Sequence, residues 1–97
     1  MRFREYVNTT KSNITTATGA ITLDNEDEVV NCSGTFTVTL PAVVDYTNKR
    51  YYIKNIGTGA ITVDGNASET IDDQTTQTLN QYDCLHIQSS GTEWKVL

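Results

Sequence analysis

The sequence predicts an all-β domain, a small antiparallel β-sandwich of jelly-roll type preceded by an extended N-terminal arm. Three observations carry that prediction. Thr, Val and Ile number 17, 8 and 7 among 97 residues, and β-branched side chains are stiff at χ1 and suit the pleated surface of a sheet. No apolar period of 3.6 is sustained over three helical turns, whereas alternation at period two recurs between clusters of turn residues. The single proline, Pro41, stands where the strongest alternating run stops, and its missing backbone donor ends strand pairing there.

Taken in order, residues 1–18 read as an arm or linker: Phe3 and Tyr6 form an amphipathic start, and the stretch from Asn8 to Thr18 is mostly Thr, Asn, Ser and Lys, too polar to bury. Residues 19–97 are assigned to the sandwich. Its clearest strand is Thr35 to Leu40, which sends Phe36, Val38 and Leu40 to one face and three threonines to the other. Arg50 to Ile56 and Ala60 to Asp64 are strands separated by Gly57-Thr58-Gly59, a spacing that predicts a hairpin. Weaker strands follow at Glu69 to Ile71 and Thr76 to Leu79, then a strong one at Cys84 to Gln88. The turn Ser89 to Thr92 delivers the last, Glu93 to Leu97. The inward set is Ile21, Leu23, Val30, Phe36, Val38, Leu40, Ile53, Ile61, Val63, Ile71, Leu79, Leu85, Ile87, Trp94 and Val96. That is a thin core for a monomer of this size and points to association of copies. Thr18 to Asp24 recurs as Thr58 to Asp64 with one change, an echo that hints at two similar halves; two copies are too few for a solenoid.

Composition excludes several classes of function. A net charge of -5 argues against a nucleic-acid backbone as partner, because phosphate binding needs clustered Lys and Arg. No apolar run approaches the roughly 20 residues of a membrane span, and the first residues lack the apolar stretch of a signal peptide, so no membrane insertion is expected. Cys32 and Cys84 have neither zinc-site spacing nor a paired histidine and read as free thiols, with a single bridge between them as the alternative.

Candidate chemistry is sparse. His86 shares a strand face with Cys84, but side chains two apart on a strand stand about 7 Å from each other, too far for a thiol and base pair. Asp24 to Glu28 holds four carboxylates in five residues without the glycine and helices of a calcium loop, and a solvated loop is the expectation. The Thr35, Thr37, Thr39 ladder resembles the flat arrays of some ice-binding proteins, which need many registered rungs where this chain offers one. No catalytic residue, cofactor or metal is assigned.

The run from Phe36 to Leu97 resembles small β modules that recur in virion proteins of tailed bacteriophages, among them head fibres, capsid decoration proteins and tail-fibre segments. The residues that carry the likeness are Thr39-Leu40-Pro41, the stretch Arg50 to Val63, Glu69-Thr70-Ile71-Asp72, and Ser89 to Trp94. The resemblance implies a β-sandwich that assembles as a homotrimer, has no enzymatic activity and serves as a structural or adhesive surface of the virion, made in the host cytoplasm. A short chain with its own Met1 fits a capsid decoration protein or short head fibre better than a tail fibre. Phe3 and Tyr6, with Arg2 and Arg4 beside them, are then the candidate anchor to the major capsid protein. The rival reading is a receptor-binding domain for host surface glycan, with Tyr46, Tyr52 and Tyr82 as surface candidates and Tyr51 and Trp94 as further stacking rings.

Overall fold

A computed structural model describes residues 13–97. It is all-β, with two sheets packed face to face. One sheet has five strands: β1 (Ile14–Ala17), β3 (Val29–Cys32), β5 (Arg50–Asn55), β8 (Cys84–Ser89) and β9 (Trp94–Val96), in that spatial order. The other has four: β2 (Ile21–Thr22), β4 (Phe36–Thr39), β6 (Ile61–Asp64) and β7 (Thr76–Leu79). A turn of 3-10 helix, Val43–Tyr46, follows Pro41.

The strand directions differ from the antiparallel jelly roll that alternation suggests. From β1 to β6 the chain crosses to the other sheet after every strand, so the pairs β1–β3, β3–β5, β2–β4 and β4–β6 are all parallel. The last three strands make the antiparallel pairs β6–β7, β5–β8 and β8–β9; β7 and β8 run against the coil and β9 returns to the direction of β5. The fold is a two-layer coil closed on one side by antiparallel strands. The hairpin expected over residues 50–64 is therefore absent, since β5 and β6 belong to different sheets. Glu69 to Ile71 is not a strand either; Ile71 makes only isolated bridges to Gln74 and Trp94. Ile14–Ala17, assigned to the arm by its polarity, is the edge strand β1, where one side of the strand faces solvent and polar side chains are tolerated.

The coil puts the two copies of the sequence echo in one sheet, two residues out of register with each other. Thr18 to Asp24 and Thr58 to Asp64 contain β2 and β6, which flank β4 on its two sides. Rungs at Ile14, Val29 and Tyr52 pair in one sheet, and rungs at Ile21, Val38 and Val63 in the other. Because the connections differ in length, the repeat has no fixed period.

What permits a sharp crossing from β5 to β6 is visible at Gly57 and Gly59. A Cβ on Gly59 would collide with Thr35 Oγ1 and stand 2.5 Å from the Gly34 carbonyl oxygen, and one on Gly57 would stand 2.7 Å from Ser33 Oγ. Successive crossings thus stack backbone on backbone, which only glycine allows.

The core between the sheets contains most of the inward set, with Ile21 and Phe36 partly buried against it. It also includes Ala17, Cys32, Val43 and Tyr51, while Val96, expected inside, is 40% exposed near the end of edge strand β9. Tyr51 and Trp94, the further candidates for stacking rings, are both fully buried, with ring centroids 5.4 Å apart. Two hydroxyls inside find carbonyl acceptors: Tyr51 Oη donates to the Asp24 carbonyl at 2.7 Å, and Ser89 Oγ to the Val43 carbonyl at 2.8 Å.

Candidate functional site

The coil sorts its connections into two ends. At one, the segments 18–20, 33–35, 56–60 and 80–83 meet: the Ser33 amide donates to the Ala17 carbonyl, Asn55 Nδ2 to the Gly59 carbonyl, and the Tyr82 amide to the Asn55 carbonyl. At the other, the segments 23–28, 40–49, 65–75 and 90–93 meet. There Lys49 Nζ donates to the Asn25 carbonyl, the Val43 amide to Glu69 Oε1, and the Asp73 amide and Thr70 hydroxyl both to Glu93 Oε1.

The charge follows this division. Of the eleven carboxylates among the described residues, nine lie in the connections of the second end: Asp24, Glu26, Asp27, Glu28, Asp45, Glu69, Asp72, Asp73 and Glu93. Several are held in place, which lowers the cost of crowding them. Asp27 is buried and accepts from the Thr15 hydroxyl and the Asp24 amide. Glu93 is held down to a pKa of about 2, first by its hydrogen bond from Lys95, then by those from Thr70 and Asp73. Among the described residues no group of three or more His, Cys, Asp or Glu side chains is placed to hold a metal ion. The connections of the first end carry a single carboxylate, Asp83, and no Lys or Arg.

The three tyrosines singled out for surface binding are dispersed. Tyr46 sits in the 3-10 turn at the acidic end, half-buried against the core. Tyr52 lies on the outer face of the five-stranded sheet, stacked on His86 with centroids 3.8 Å apart. Tyr82 stands at the opposite end, next to its single carboxylate Asp83, 67% exposed, with φ +67°. The three form no common site, and of them Tyr82 alone presents an open ring. The anchor candidates Arg2, Phe3, Arg4 and Tyr6 lie outside the described residues. The chain that follows them enters at the acidic end, where Asn13 Nδ2 donates to the Glu26 carbonyl and the Val29 amide to the Asn13 carbonyl.

No family model, curated protein or solved structure matches this chain.

The outer sheet faces are distinct surfaces. Register aligns Ile14, Val29, Tyr52 and His86 across four strands of the larger sheet, and the Leu97 amide continues the row by donating to the His86 carbonyl. On the smaller sheet, Thr37, Thr62 and Thr78 form one row and Thr22, Thr39, Asp64 and Thr76 a second. The threonine ladder of β4 thus extends to its neighbours, which sequence order conceals, but Asp64 interrupts the array with a charge. Lateral contact between β-branched side chains on adjacent strands is its evident role.

His86 does not serve Cys84. Its ring is occupied with Tyr52, and Nε2 is buried without a hydrogen-bond partner among the described residues. The two thiols are both free and differ sharply: Cys32 is buried, with its pKa pushed up to about 11 by desolvation, whereas Cys84 is exposed opposite Lys54. Under native conditions at pH 8, iodoacetamide is expected to add one carbamidomethyl group per chain, at Cys84, with Cys32 modified only after denaturation; peptide mass spectrometry reads the two sites separately.

Proposed function

We propose that the chain is a non-enzymatic virion protein of a tailed bacteriophage, a capsid decoration protein or short head fibre that acts through its surfaces. The observation that carries this reading is the polarity of the coil. The chain enters at the acidic end, so an arm bound to the major capsid protein through Phe3, Tyr6, Arg2 and Arg4 would hold that end toward the shell and point the end with the single carboxylate Asp83 outward. The likeness of Arg50 to Val63 and Ser89 to Trp94 to virion modules supports the same reading. Those residues build the fold: Asn55, Gly57 and Gly59 make the tight crossing, and Glu93 and Trp94 hold the long connection 65–75. A homotrimer, with the copies sharing the shell site, is the assembly we assign.

Co-sedimentation with purified capsids tests the reading, alongside the solution mass by multi-angle light scattering. The full chain is expected to saturate capsids and to have a mass three times that of one chain, and removal of residues 1–12 to abolish capsid binding. Full occupancy by the truncated chain would exclude the arm as anchor, and absence of capsid binding by the full chain would exclude the reading.

A further inference from the structure

We infer that copies of this chain associate end on face: Val44 and Asp45, at the carboxylate-rich end of one copy, seat on the outer face of the five-stranded sheet of the next, over Tyr52 and against Arg50. The inference rests on the association of copies proposed above, for which it names the contact.

The five strands of that sheet contain no carboxylate. Across their outer face runs the row Ile14, Val29, Tyr52, His86 and Leu97, which at ordinary strand spacing is about 19 Å long. Ile14 and Leu97, at its two ends, are both exposed, and the Tyr52 ring at its centre is stacked on His86. Arg50 and Lys54 lie on the same face of β5, two residues to either side of Tyr52. They are the two cations without another commitment. Of the four Lys and Arg side chains among the described residues, Lys95 is paired with Glu93, and Lys49 donates to the Asn25 carbonyl and lies 5.2 Å from the Tyr51 ring centroid. Arg50 and Lys54 have no hydrogen-bond or ion-pair partner among the described residues.

Charge selects the occupant. The described residues carry eleven carboxylates against four cations, so two copies repel each other over most of their surface. A contact that brings carboxylates to Arg50 and Lys54 reverses the sign, and nine of the eleven stand at one end. The N-terminal arm is wrong in sign for this face, since it sets Arg2, Arg4 and Lys11 against Glu5 alone. In the connections of the acidic end the exposed large apolar side chain is Val44, 67% exposed, and Asp45 is exposed beside it in the 3-10 turn. Glu69 accepts from the Val43 amide and Glu93 from Lys95, whereas the Asp45 carboxylate accepts no hydrogen bond among the described residues. An apolar side chain beside an uncommitted carboxylate matches an apolar row beside uncommitted cations. The opposite end exposes Ile56 and Tyr82, but its carboxylate, Asp83, already accepts from the Asn80 amide.

The test is multi-angle light scattering of the full-length protein with charge reversal on each side of the contact, run beside capsid co-sedimentation. The wild-type chain is expected to associate, and Arg50→Glu and Asp45→Arg each to weaken association about tenfold or more, because like charges then face each other. Lys54→Glu is the second variant of the face and should act in the same direction. The double variant that carries both Arg50→Glu and Asp45→Arg should recover association, which a merely structural role for either residue would not give. All three positions are exposed, and circular dichroism checks that each variant folds. Asp83→Asn, at the opposite end, should leave the mass unchanged. A wild-type mass of one chain, full association of the Arg50→Glu or Asp45→Arg protein, no recovery in the double variant, or loss of association in Asp83→Asn would overturn the contact, and capsid binding by the same protein would leave the virion reading standing. A charge swap that behaves as expected in a chain that does not bind capsids would keep the contact and remove that reading.

Discussion

Replacing Asn55 with alanine is expected to destabilise the fold by about 3–5 kcal/mol, because one fully buried side chain completes three backbone groups at the crossing between the sheets. Its Nδ2 donates to the Gly59 carbonyl at 2.6 Å and to the Leu79 carbonyl at 2.9 Å, and its Oδ1 accepts from the Gly57 amide at 3.0 Å. Alanine removes all three bonds and withdraws the side-chain donor from the Leu79 carbonyl in the interior. Each unsatisfied buried group costs about 1–3 kcal/mol, and the new cavity adds to that. Asn55→Asp should be comparably harmful at neutral pH, since a carboxylate would face two carbonyl oxygens with no proton to share. For a domain of this size the midpoint of thermal unfolding should fall by roughly 15–30 °C. A fall of a few degrees in either variant would mean that water replaces the amide and that the crossing does not depend on it.

Asn55 also marks the limit of what the sequence conveys. Alternation is a local property, so it puts Val38, Leu40, Ile53, Ile61, Val63 and Ile87 inside, where the structure has them, without knowledge of which strand pairs with which. Pairing itself is not local. Gly57-Thr58-Gly59 is as compatible with a hairpin as with a crossing between sheets, and the difference lies in Ser33, Gly34 and Thr35, more than twenty residues earlier in the chain, against which both glycines pack. The same reason hides strand β1: Ile14–Ala17 contributes only Ala17 to the core, and its backbone pairing with β3 leaves no mark on its own composition.

The surface is legible to a similar degree. The acidic run Asp24 to Glu28 is conspicuous in the sequence, yet its gathering with Asp45, Glu69, Asp72, Asp73 and Glu93 at one end requires the alternating crossings of the coil. Tyr82 can be named as a surface candidate from its polar neighbours. That it stands alone, while Tyr46 packs against the core and Tyr52 against His86, cannot be read from them. Tyr51 and Trp94 are ambiguous in sequence because an aromatic ring on an alternating strand suits either face, and Tyr51 in particular gains a hydrogen bond to the Asp24 carbonyl that makes its hydroxyl tolerable inside.

Replacing Trp94 with alanine should cost about 3–5 kcal/mol, and the phenylalanine variant separates the reasons. The indole is fully buried against Tyr51, and its Nε1 is buried without an acceptor among the described residues, so the side chain stabilises by packing and carries an unmet polar group. Trp94→Phe deletes that group along with part of the ring and should cost only about 1–2 kcal/mol. Equal losses in the two variants, measured by urea unfolding, would show that the indole N–H has a partner. The backbone of Trp94 contributes separately, since its amide donates to the Thr70 carbonyl and its carbonyl accepts from the Asp72 amide, each at 3.0 Å. Alanine keeps those bonds but withdraws the packing that seats them, so the segment 65–75 should exchange amide protons faster while the turn 80–83, secured by Asn55 at the opposite end, does not. That contrast separates the two ends energetically. Trp94 stabilises the carboxylate-rich end and Asn55 the one that presents Tyr82, so a mild variant at either position should loosen one surface and leave the other intact.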